Sequence, residues 1–258
     1  MAPRKTIKSV RRLSLAAISL SAATAALAGC APNVPNFLLP KPTPMKPTGP
    51  PGVQRTIANT AAVYSQGCSF GKADIGSAWA YAPDHVVTAS HVVGGGSDFT
   101  VMTPSGHDQS AKVVLFDPAN DIAVLYVPGL KMQTLPLAPN SPSQGEQAYI
   151  VGYPGGKHEA MSSASMQQQS TEVVDPFNQS DTNQPTVDIF SFAADVTHGN
   201  SGGPIVDTYG QVVGLLIQGA QSPPTVIAVD INQIRADLAL AQTATQSVLT
   251  GGQCVALG

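Results

Sequence analysis

Residues 198–205 of this 258-residue chain read HGNSGGPI, a serine enclosed by glycines. Glycine has no Cβ and adopts backbone conformations that other residues avoid, so this loop can turn tightly. A projecting hydroxyl next to converging N–H groups is what nucleophilic acyl-transfer catalysis requires. The segment therefore predicts that Ser201 is a nucleophile and that the backbone of Gly199, Asn200 and Ser201 forms an oxyanion hole.

Two further segments supply the other groups that such a serine needs. Residues 88–93 (TASHVV) place His91 directly after an apolar run, and residues 117–125 (DPANDIAVL) place Asp121 at the start of another. In this chemistry the histidine takes the serine proton and later protonates the leaving group, while the aspartate holds the histidine tautomer. Each residue alone is more often structural. The prediction of a His91–Asp121–Ser201 triad rests on their occurring together.

The order of these residues separates two classes of hydrolase. Residues 199–203 also fit the G-x-S-x-G motif of α/β-hydrolases, but that fold needs a histidine after the serine. The last histidine here is His198, before Ser201. The order His, Asp, Ser is that of chymotrypsin-type enzymes. Because the sequence motifs for zinc, phosphate and dinucleotide sites are missing, we expect no metal and no cofactor.

Composition and charge exclude two further classes of protein. Charged residues make up 11% of the chain, which also holds 24 glycines and 22 prolines. This composition argues against helical bundles and favours short strands joined by turns. From residue 31 onward there are eight basic and sixteen acidic residues. Such a chain lacks the basic face of a nucleic-acid-binding protein.

The pattern beyond residue 57 predicts an all-β domain followed by one helix. Residues 231–242 have helical spacing, with Asp230 as the N-cap. Residues 160–186 are polar and low in complexity, and we expect a long surface loop or hairpin there. Short β-rich runs bounded by turn residues, typical of a sandwich or barrel, lie at 77–81, 86–89, 99–102, 113–116, 122–127, 147–151, 187–192, 204–206, 212–217 and 226–229.

The first 30 residues predict export and a lipid anchor. A basic start runs into residues 13–27, an apolar stretch of signal-peptide length that is too short for a membrane span. Residues 27–30 (LAGC) resemble the lipobox of bacterial lipoproteins, in which the cysteine receives a diacylglyceryl group before cleavage. Cys30 would then begin the mature protein. The alternative is ordinary cleavage after Ala28, which leaves Cys30 as a free thiol.

The number of cysteines fits a lipidated Cys30. The chain has three cysteines, and an odd number in an exported protein needs an explanation. Lipidation leaves Cys68 and Cys254, which we expect to form a disulfide in an oxidising compartment. The alternative is two buried free thiols. Residues 31–56 contain eight prolines and predict a semi-rigid tether.

The three motif segments resemble chymotrypsin-fold serine proteases, most closely the HtrA/Deg-like bacterial branch. Residues 76–84, residues 152–156 and the outer cysteines are most similar to the protease domain of MarP-like acid-resistance membrane proteases. The resemblance covers residues 57–255. It implies two perpendicular six-stranded β-barrels with a C-terminal α-helix, His91 and Asp121 on the first barrel and Ser201 on the second.

The resemblance also sets the expected organisation and function. The chain divides into a signal peptide (1–29), the lipidated cysteine with its tether (30–56) and a protease domain (57–258). Too little chain follows Ser201 for the PDZ module of HtrA-type proteins, and a lipobox stands where MarP-like proteins have membrane spans. The implied function is an exported, membrane-tethered endopeptidase in envelope stress or protein processing. The alternative is a catalytically silent, protease-like binding module.

Five residues are candidates for substrate binding. Asp195 lies six positions before Ser201, where trypsin-like enzymes place the carboxylate that selects arginine or lysine before the scissile bond. The alternative is that Asp195 is structural, and the HtrA-like resemblance implies a small apolar residue at that position. His198 precedes the oxyanion loop and is expected to line the cleft, whereas His85, His107 and His158 are expected at the surface or in loops. Ile217, Gln218 and Gly219 are expected to pair with an extended protein or peptide substrate.

Overall fold

The structure, a computed structural model, describes residues 49–69, 72–156, 160–174, 186–221 and 223–251. Twelve strands form two closed barrels of six antiparallel strands each, and a helix follows the last strand. This confirms the predicted all-β fold class with its C-terminal helix. In the described part of the chain, no helix has the length and apolar character needed to cross a membrane.

The first barrel carries two of the three candidate triad residues. Its strand order is β1-β2-β3-β6-β5-β4, closed by pairing of β4 with β1. Its interior is filled by alanine and branched aliphatic side chains such as Val63, Val86 and Leu125, all three of which are fully buried. The strands are β1 (Thr60–Ser69), β2 (Lys72–Ala82), β3 (His85–Thr88), β4 (Asp98–Met102), β5 (Asp108–Asp117) and β6 (Ile122–Tyr126).

The second barrel repeats this connectivity. Its order is β7-β8-β9-β12-β11-β10, closed by pairing of β10 with β7. The fully buried Phe190 and Phe192 pack edge to face inside it, with ring centroids 6.3 Å apart. The strands are β7 (Gln147–Gly152), β8 (Ala160–Val173), β9 (Thr186–Ala193), β10 (Pro204–Val206), β11 (Val212–Gln221) and β12 (Pro224–Asp230).

Helix α3 (Ile231–Ala241) has the N-cap that the sequence predicts. The Asp230 carboxylate accepts a hydrogen bond from Asn232 N at 2.9 Å, which satisfies a free N–H of the first turn. The buried face of α3, including Ile234 and Leu238, joins a core cluster that contains residues of both barrels. The helix therefore packs where the barrels meet. A short helix, α2 (Ser90–Val93), follows β3 and carries His91.

Two strands were not predicted as such. Alanine, serine and glutamine make up half of the ten residues of β1, and only Thr60 and Val63 are β-branched, so its strand propensity is weak although residues 60–65 are buried. β8 lies in the polar segment 160–186, for which a loop or hairpin was expected. Its first half pairs with β7 and its second half with β9, and most of its side chains remain at least partly exposed. The hairpin expectation was therefore the correct one for the described part of that segment.

The predicted end of the tether at residue 56 needs correction. Residues 51–58 form helix α1 (Pro51–Ala58), with proline in the first turn, where its missing N–H is tolerated. Val53 is fully buried and Ile57 is 2% exposed, and burial of such side chains contributes about 1.5–3 kcal/mol each. The packed domain thus begins before residue 57. The signal segment, Cys30 and residues 31–48 of the tether lie outside the described residues.

Candidate active site

The His91–Asp121 pair is held by three hydrogen bonds to one carboxylate. His91 Nδ1 lies 2.7 Å from Asp121 Oδ2, while Oδ1 accepts from Ser90 Oγ at 2.8 Å and from His91 N at 3.0 Å. Asp121 is 1% exposed, and a buried carboxylate is tolerated only with such partners. The arrangement fixes both the imidazole orientation and the tautomer with hydrogen on Nδ1. His91 Nε2 is then the atom able to accept a proton.

Asp121 adopts a backbone conformation that is unusual for a residue other than glycine, with φ of 47°. Left-handed backbone of this kind costs about 1–3 kcal/mol and occurs often at functional sites. The turn before it supplies the constraint, because Asp117 Oδ1 accepts a hydrogen bond from Ala119 N at 2.9 Å. Asn120 Nδ2 also donates to Asp117 Oδ2 at 2.6 Å. The turn therefore directs the Asp121 carboxylate towards α2.

The surroundings of His91 make its imidazole more basic than usual. Burial alone would lower the pKa of His91, because a charged ring is poorly solvated there. The charge and hydrogen bond of Asp121, together with the charge of Asp74, outweigh burial and raise the pKa above its ordinary value. The side chain keeps 16% of its surface exposed. A base of this kind remains accessible to a substrate proton.

The oxyanion loop is held with two N–H groups unpaired. The carbonyl of His198 accepts from Gly155 N at 2.8 Å. Because a trans peptide points its C=O and N–H in opposite directions, the Gly199 N–H faces away from that contact. Among the described residues, neither Gly199 N nor Ser201 N donates to an acceptor. Asn200 N instead donates to Thr197 O at 3.2 Å. The expectation that the Asn200 N–H is a donor of the oxyanion hole is therefore corrected: Asn200 only links Gly199 to Ser201.

Ser77 and Tyr64 of the first barrel support this loop. Ser77 Oγ donates to Gly199 O at 2.7 Å and accepts from Tyr153 N at 2.9 Å. Tyr64 Oη donates to Gly156 O at 2.6 Å, next to the Gly155 N–H that anchors the loop. Burial and then the charge of Asp108 raise the pKa of Tyr64 to about 12, so this hydroxyl remains a donor at any working pH.

Strand β2 brings Ser201 alongside α2. Ser77 N donates to Ser201 O at 2.7 Å. If Gly76 carried a Cβ, that atom would lie 2.5 Å from Val92 Cγ2 and 2.9 Å from Ser201 O. Val92, which follows His91, and Ser201 therefore both contact the same face of β2. In the described part of the chain no hydrogen bond joins Ser201 Oγ to His91. Such bonds are commonly long in free enzymes and tighten when substrate binds.

Among the described residues, no strand pairs with the edge of β11 beyond Leu216 on the side opposite β12. β10 pairs with β11 only as far as Leu215, and Leu216 exchanges hydrogen bonds with the Gly202–Gly203 backbone. β12 covers the opposite edge of Gln218 and Gly219, both of which are exposed, whereas Ile217 is 8% exposed. These three residues, expected to pair with substrate, therefore form an open strand edge next to Ser201.

Asp195 does not take the position that arginine or lysine selection would require. It is exposed, and its backbone carbonyl accepts from Ser162 Oγ at 3.1 Å. The next residue, Val196, is 6% exposed, and its Cγ2 lies 2.5 Å from where a Cβ on Gly219 would be. A valine, not a carboxylate, therefore faces the end of β11. His198 is exposed beside the oxyanion loop, as expected for a cleft residue.

One expectation about the other histidines is wrong. His85 was expected at the surface or in a loop, but it lies in β3 and is 3% exposed. Its Nδ1 is 2.6 Å from Pro83 O and its Nε2 is 2.7 Å from Ala244 O, so it joins the first barrel to the segment after α3. His107 lies near the turn between β4 and β5. His158 lies outside the described residues.

Sequence reasoning missed the residues that orient the loop and the carboxylate. Ser77 and Gly155 lie in segments noted only for their resemblance to known proteases, and no role was assigned to them. Ser90 lies next to His91 in the quoted motif, yet its hydrogen bond to Asp121 could not be deduced from spacing. The available signal was weak: a small polar residue and a glycine in segments that match a family. The side chains of Cys68 and Cys254 are outside the described residues.

Comparison with known proteins gives the same assignment. The family description "Trypsin-like peptidase domain" matches residues 76–215. The serine protease Rv3671c of Mycobacterium tuberculosis is 33% identical over 181 residues, covering 70% of this chain and 45% of that protein. The Do-like serine protease HtrB of Bacillus subtilis is 30% identical over 135 residues, covering 51% of this chain and 29% of that protein. The chain thus spans less than half the length of these relatives.

Solved structures agree with the sequence matches. The active form of the Rv3671c protease has a TM-score of 0.73 and 29% identity, covering 83% of this chain and 96% of that one. Its inactive form has a TM-score of 0.63 and 27% identity, covering 76% of this chain and 98% of that one. The family match covers more than half of the chain and includes His91, Asp121 and Ser201. The chain therefore belongs to the trypsin-like peptidase family and is related to serine proteases of the MarP and HtrA/Deg type.

Proposed function

We propose that the protein is an exported serine endopeptidase, tethered to the cell envelope, that cleaves protein or peptide substrates with Ser201, His91 and Asp121. The observation that carries this proposal is the oriented oxyanion loop. With His198 O fixed by Gly155 N, the N–H groups of Gly199 and Ser201 are both left without an acceptor in the described chain. A binding module would have no need of two unpaired N–H donors next to a serine, because donors that are withdrawn from water without an acceptor cost free energy.

The proposed reaction uses these groups in two steps. Ser201 Oγ attacks the scissile carbonyl carbon while its proton moves to His91 Nε2, and the N–H groups of Gly199 and Ser201 stabilise the carbonyl oxygen as it becomes negative. The C–N bond then breaks, and His91 gives its proton to the leaving amine. Water repeats the sequence on the acyl-enzyme and releases the acid and free Ser201.

A fluorophosphonate probe tests this function directly. The probe reacts with a serine only where a base and an oxyanion hole activate it, so we expect the wild-type protein to be labelled and Ser201→Ala to remain unlabelled. The matched control is Ser105→Ala in the turn between β4 and β5, which should label as the wild type does. Absence of labelling in the folded wild-type protein would favour the silent binding module instead.

We further propose that the residue before the scissile bond is small and apolar. Val196 lies next to Gly219 at the open edge of β11, whereas the Asp195 carboxylate is exposed. We expect peptides with alanine or valine at this position to be cleaved at least about tenfold faster than peptides with arginine, since an apolar site strongly disfavours a charge. Preferred cleavage after arginine or lysine, lost in Asp195→Asn, would contradict this expectation.

Export, lipidation of Cys30 and a Cys68–Cys254 disulfide belong to the same proposal. The disulfide would close a loop of about 187 residues, from residue 68 to residue 254. Closing such a loop stabilises the folded state by about 5 kcal/mol at most. We expect the intact mass of the exported protein to include a diacylglyceryl group and to rise by two hydrogens on reduction. Two thiols that react with iodoacetamide in the unreduced, denatured protein would exclude the disulfide, and Cys30→Ala should abolish the lipid mass.

The protein should be active without an N-terminal cut. In zymogen-type relatives, a new N-terminal ammonium pairs with an aspartate just before the catalytic serine. Here that residue is Asn200, 7% exposed, whose Nδ2 donates to Thr197 O at 2.9 Å. Burying an ammonium against this uncharged amide would cost several kcal/mol. Because Val53 is fully buried in α1, the shortest chain that keeps this packing intact begins at Gly49.

The test is a chain that begins at Gly49, compared with the same chain carrying a few extra residues. We expect kcat/KM of the two to agree within about twofold, because no ion pair depends on the terminus. If activity instead appears only after a defined proteolytic cut, the role assigned to Asn200 is incorrect.

A further inference from the structure

We propose that Asp74, together with His198, forms a substrate-recognition site on the leaving-group side of the scissile bond. The site would select a lysine or arginine side chain in one of the first two residues after that bond. This inference rests on the proposed peptidase function and extends it to the choice of substrate.

The placement of Asp74 follows from the register of β2. Pairing of β1 with β2 is continuous from Thr60 to Gln66, with Val63 opposite Gly76 and Ser65 opposite Asp74. Side chains two apart on a strand project to the same face, so Asp74 projects to the face that Gly76 presents. At Gly76 this face meets Val92 and Ser201 O. The carboxylate is therefore on the active-site face of β2.

This face lies on the side from which the amine departs. Ser201 is bounded on one side by β11, whose open edge is the place for the acyl half of an extended substrate. On the other side, Ser201 O accepts from Ser77 N of β2 at 2.7 Å. A substrate chain that runs from β11 across Ser201 must continue along β2. The first residues after the scissile bond would then pass Asp74.

The chemistry of Asp74 favours a cationic side chain. Its carboxylate is half-buried, and in the described part of the chain no N–H or O–H group donates to it. Burial raises the pKa of Asp74, while the charges of His198 and His91 act in the opposite sense. A half-buried carboxylate without a donor gains most from an ammonium or guanidinium group, which forms charge-assisted hydrogen bonds. His198 is exposed beside the oxyanion loop, and its charge acts on the Asp74 carboxylate, so we assign both residues to the same site.

The test compares two quenched fluorescent peptides that differ only after the scissile bond, with lysine or with the uncharged methionine. We expect the wild-type protein to cleave the lysine peptide about tenfold faster in kcat/KM, and Asp74→Asn to bring the ratio of the two kcat/KM values to about one, with both proteins measured at a pH above the acidic limb. The control is Glu172→Gln, which removes an exposed charge on β8 and should keep the preference.

A second readout separates recognition from a purely structural role. Because the charge of Asp74 helps to raise the pKa of His91, alongside that of Asp121, Asp74→Asn should move the acidic limb of kcat/KM for the methionine peptide to lower pH. Equal cleavage of both peptides by the wild type, or an unmoved limb, would overturn the inference. Failure to cleave either peptide, together with no fluorophosphonate labelling, would overturn the proposed function and this inference with it.

Discussion

Replacing Ser201 by alanine is expected to lower kcat about a million-fold, and His91→Ala should have an effect of similar size. Without the hydroxyl there is no nucleophile, and without the imidazole no group takes its proton. Asp121→Asn should cost about 10,000-fold, because an amide in place of the carboxylate no longer holds hydrogen on His91 Nδ1. Steady-state cleavage of a quenched fluorescent peptide measures kcat for each variant. Fluorophosphonate titration gives the concentration of active sites in the wild-type protein, on which its kcat depends.

The three losses should be far from additive. The side chains act in one proton transfer, so once Ser201 is lost, removing His91 as well should change kcat by less than about tenfold. Thermal unfolding is the control, because Ser201 is half-buried and the structure of the described residues shows no hydrogen bond from its Oγ to His91. We expect Ser201→Ala to retain the Tm of the wild type within a few degrees. Full proteolysis by Ser201→Ala would end the triad assignment.

The sequence was sufficient to predict elements whose own residues favour a strand or helix. It was insufficient to predict elements that form only through contacts with distant parts of the chain. The β-branched runs of β6 and β11 predicted strands because their own side chains favour the pleated conformation. β1 was missed because residues such as Ala61 and Ala62 become strand only by pairing with β2 and β4. Helix α1 was missed because the proline-rich segment that leads into it predicted a tether, whereas Val53 and Ile57 are buried in the folded domain.

The residues of the candidate site also fall into those that local motifs predict and those that only distant contacts define. His91, Asp121 and Ser201 lie in motifs whose spacing indicates their roles, and the structure brings the three segments together. Asp195 was a candidate on its offset from Ser201 alone, and successive residues of an extended segment face opposite ways. In this chain Val196, not Asp195, turns inward. Contacts such as Gly155 N to His198 O join residues 43 positions apart, and no local pattern encodes them.

The substitution Gly199→Ala should lower kcat about 100- to 1,000-fold with little change in KM. Gly199 has φ of 97°, and a Cβ there would lie 2.5 Å from Tyr153 O and 2.6 Å from Gly155 N. Both atoms are backbone atoms of the turn that anchors His198 O, so the peptide carrying the Gly199 N–H must move. Loss of one oxyanion donor costs about 3–4 kcal/mol in the transition state, whereas substrate pairing along β11 does not involve this group.

The matched control is Gly106→Ala. Gly106 also has a positive φ, 76°, but no atom lies within 4 Å of the Cβ that alanine would add. Gly106→Ala therefore costs only the free energy of holding alanine in a left-handed backbone conformation, about 1–2 kcal/mol. We expect it to lower Tm and to leave kcat unchanged. Gly199→Ala should differ from it in kcat and also from Ser201→Ala, because its triad is intact and its pH profile should be unchanged. A kcat within twofold of the wild type in Gly199→Ala would mean that this N–H does not stabilise the transition state.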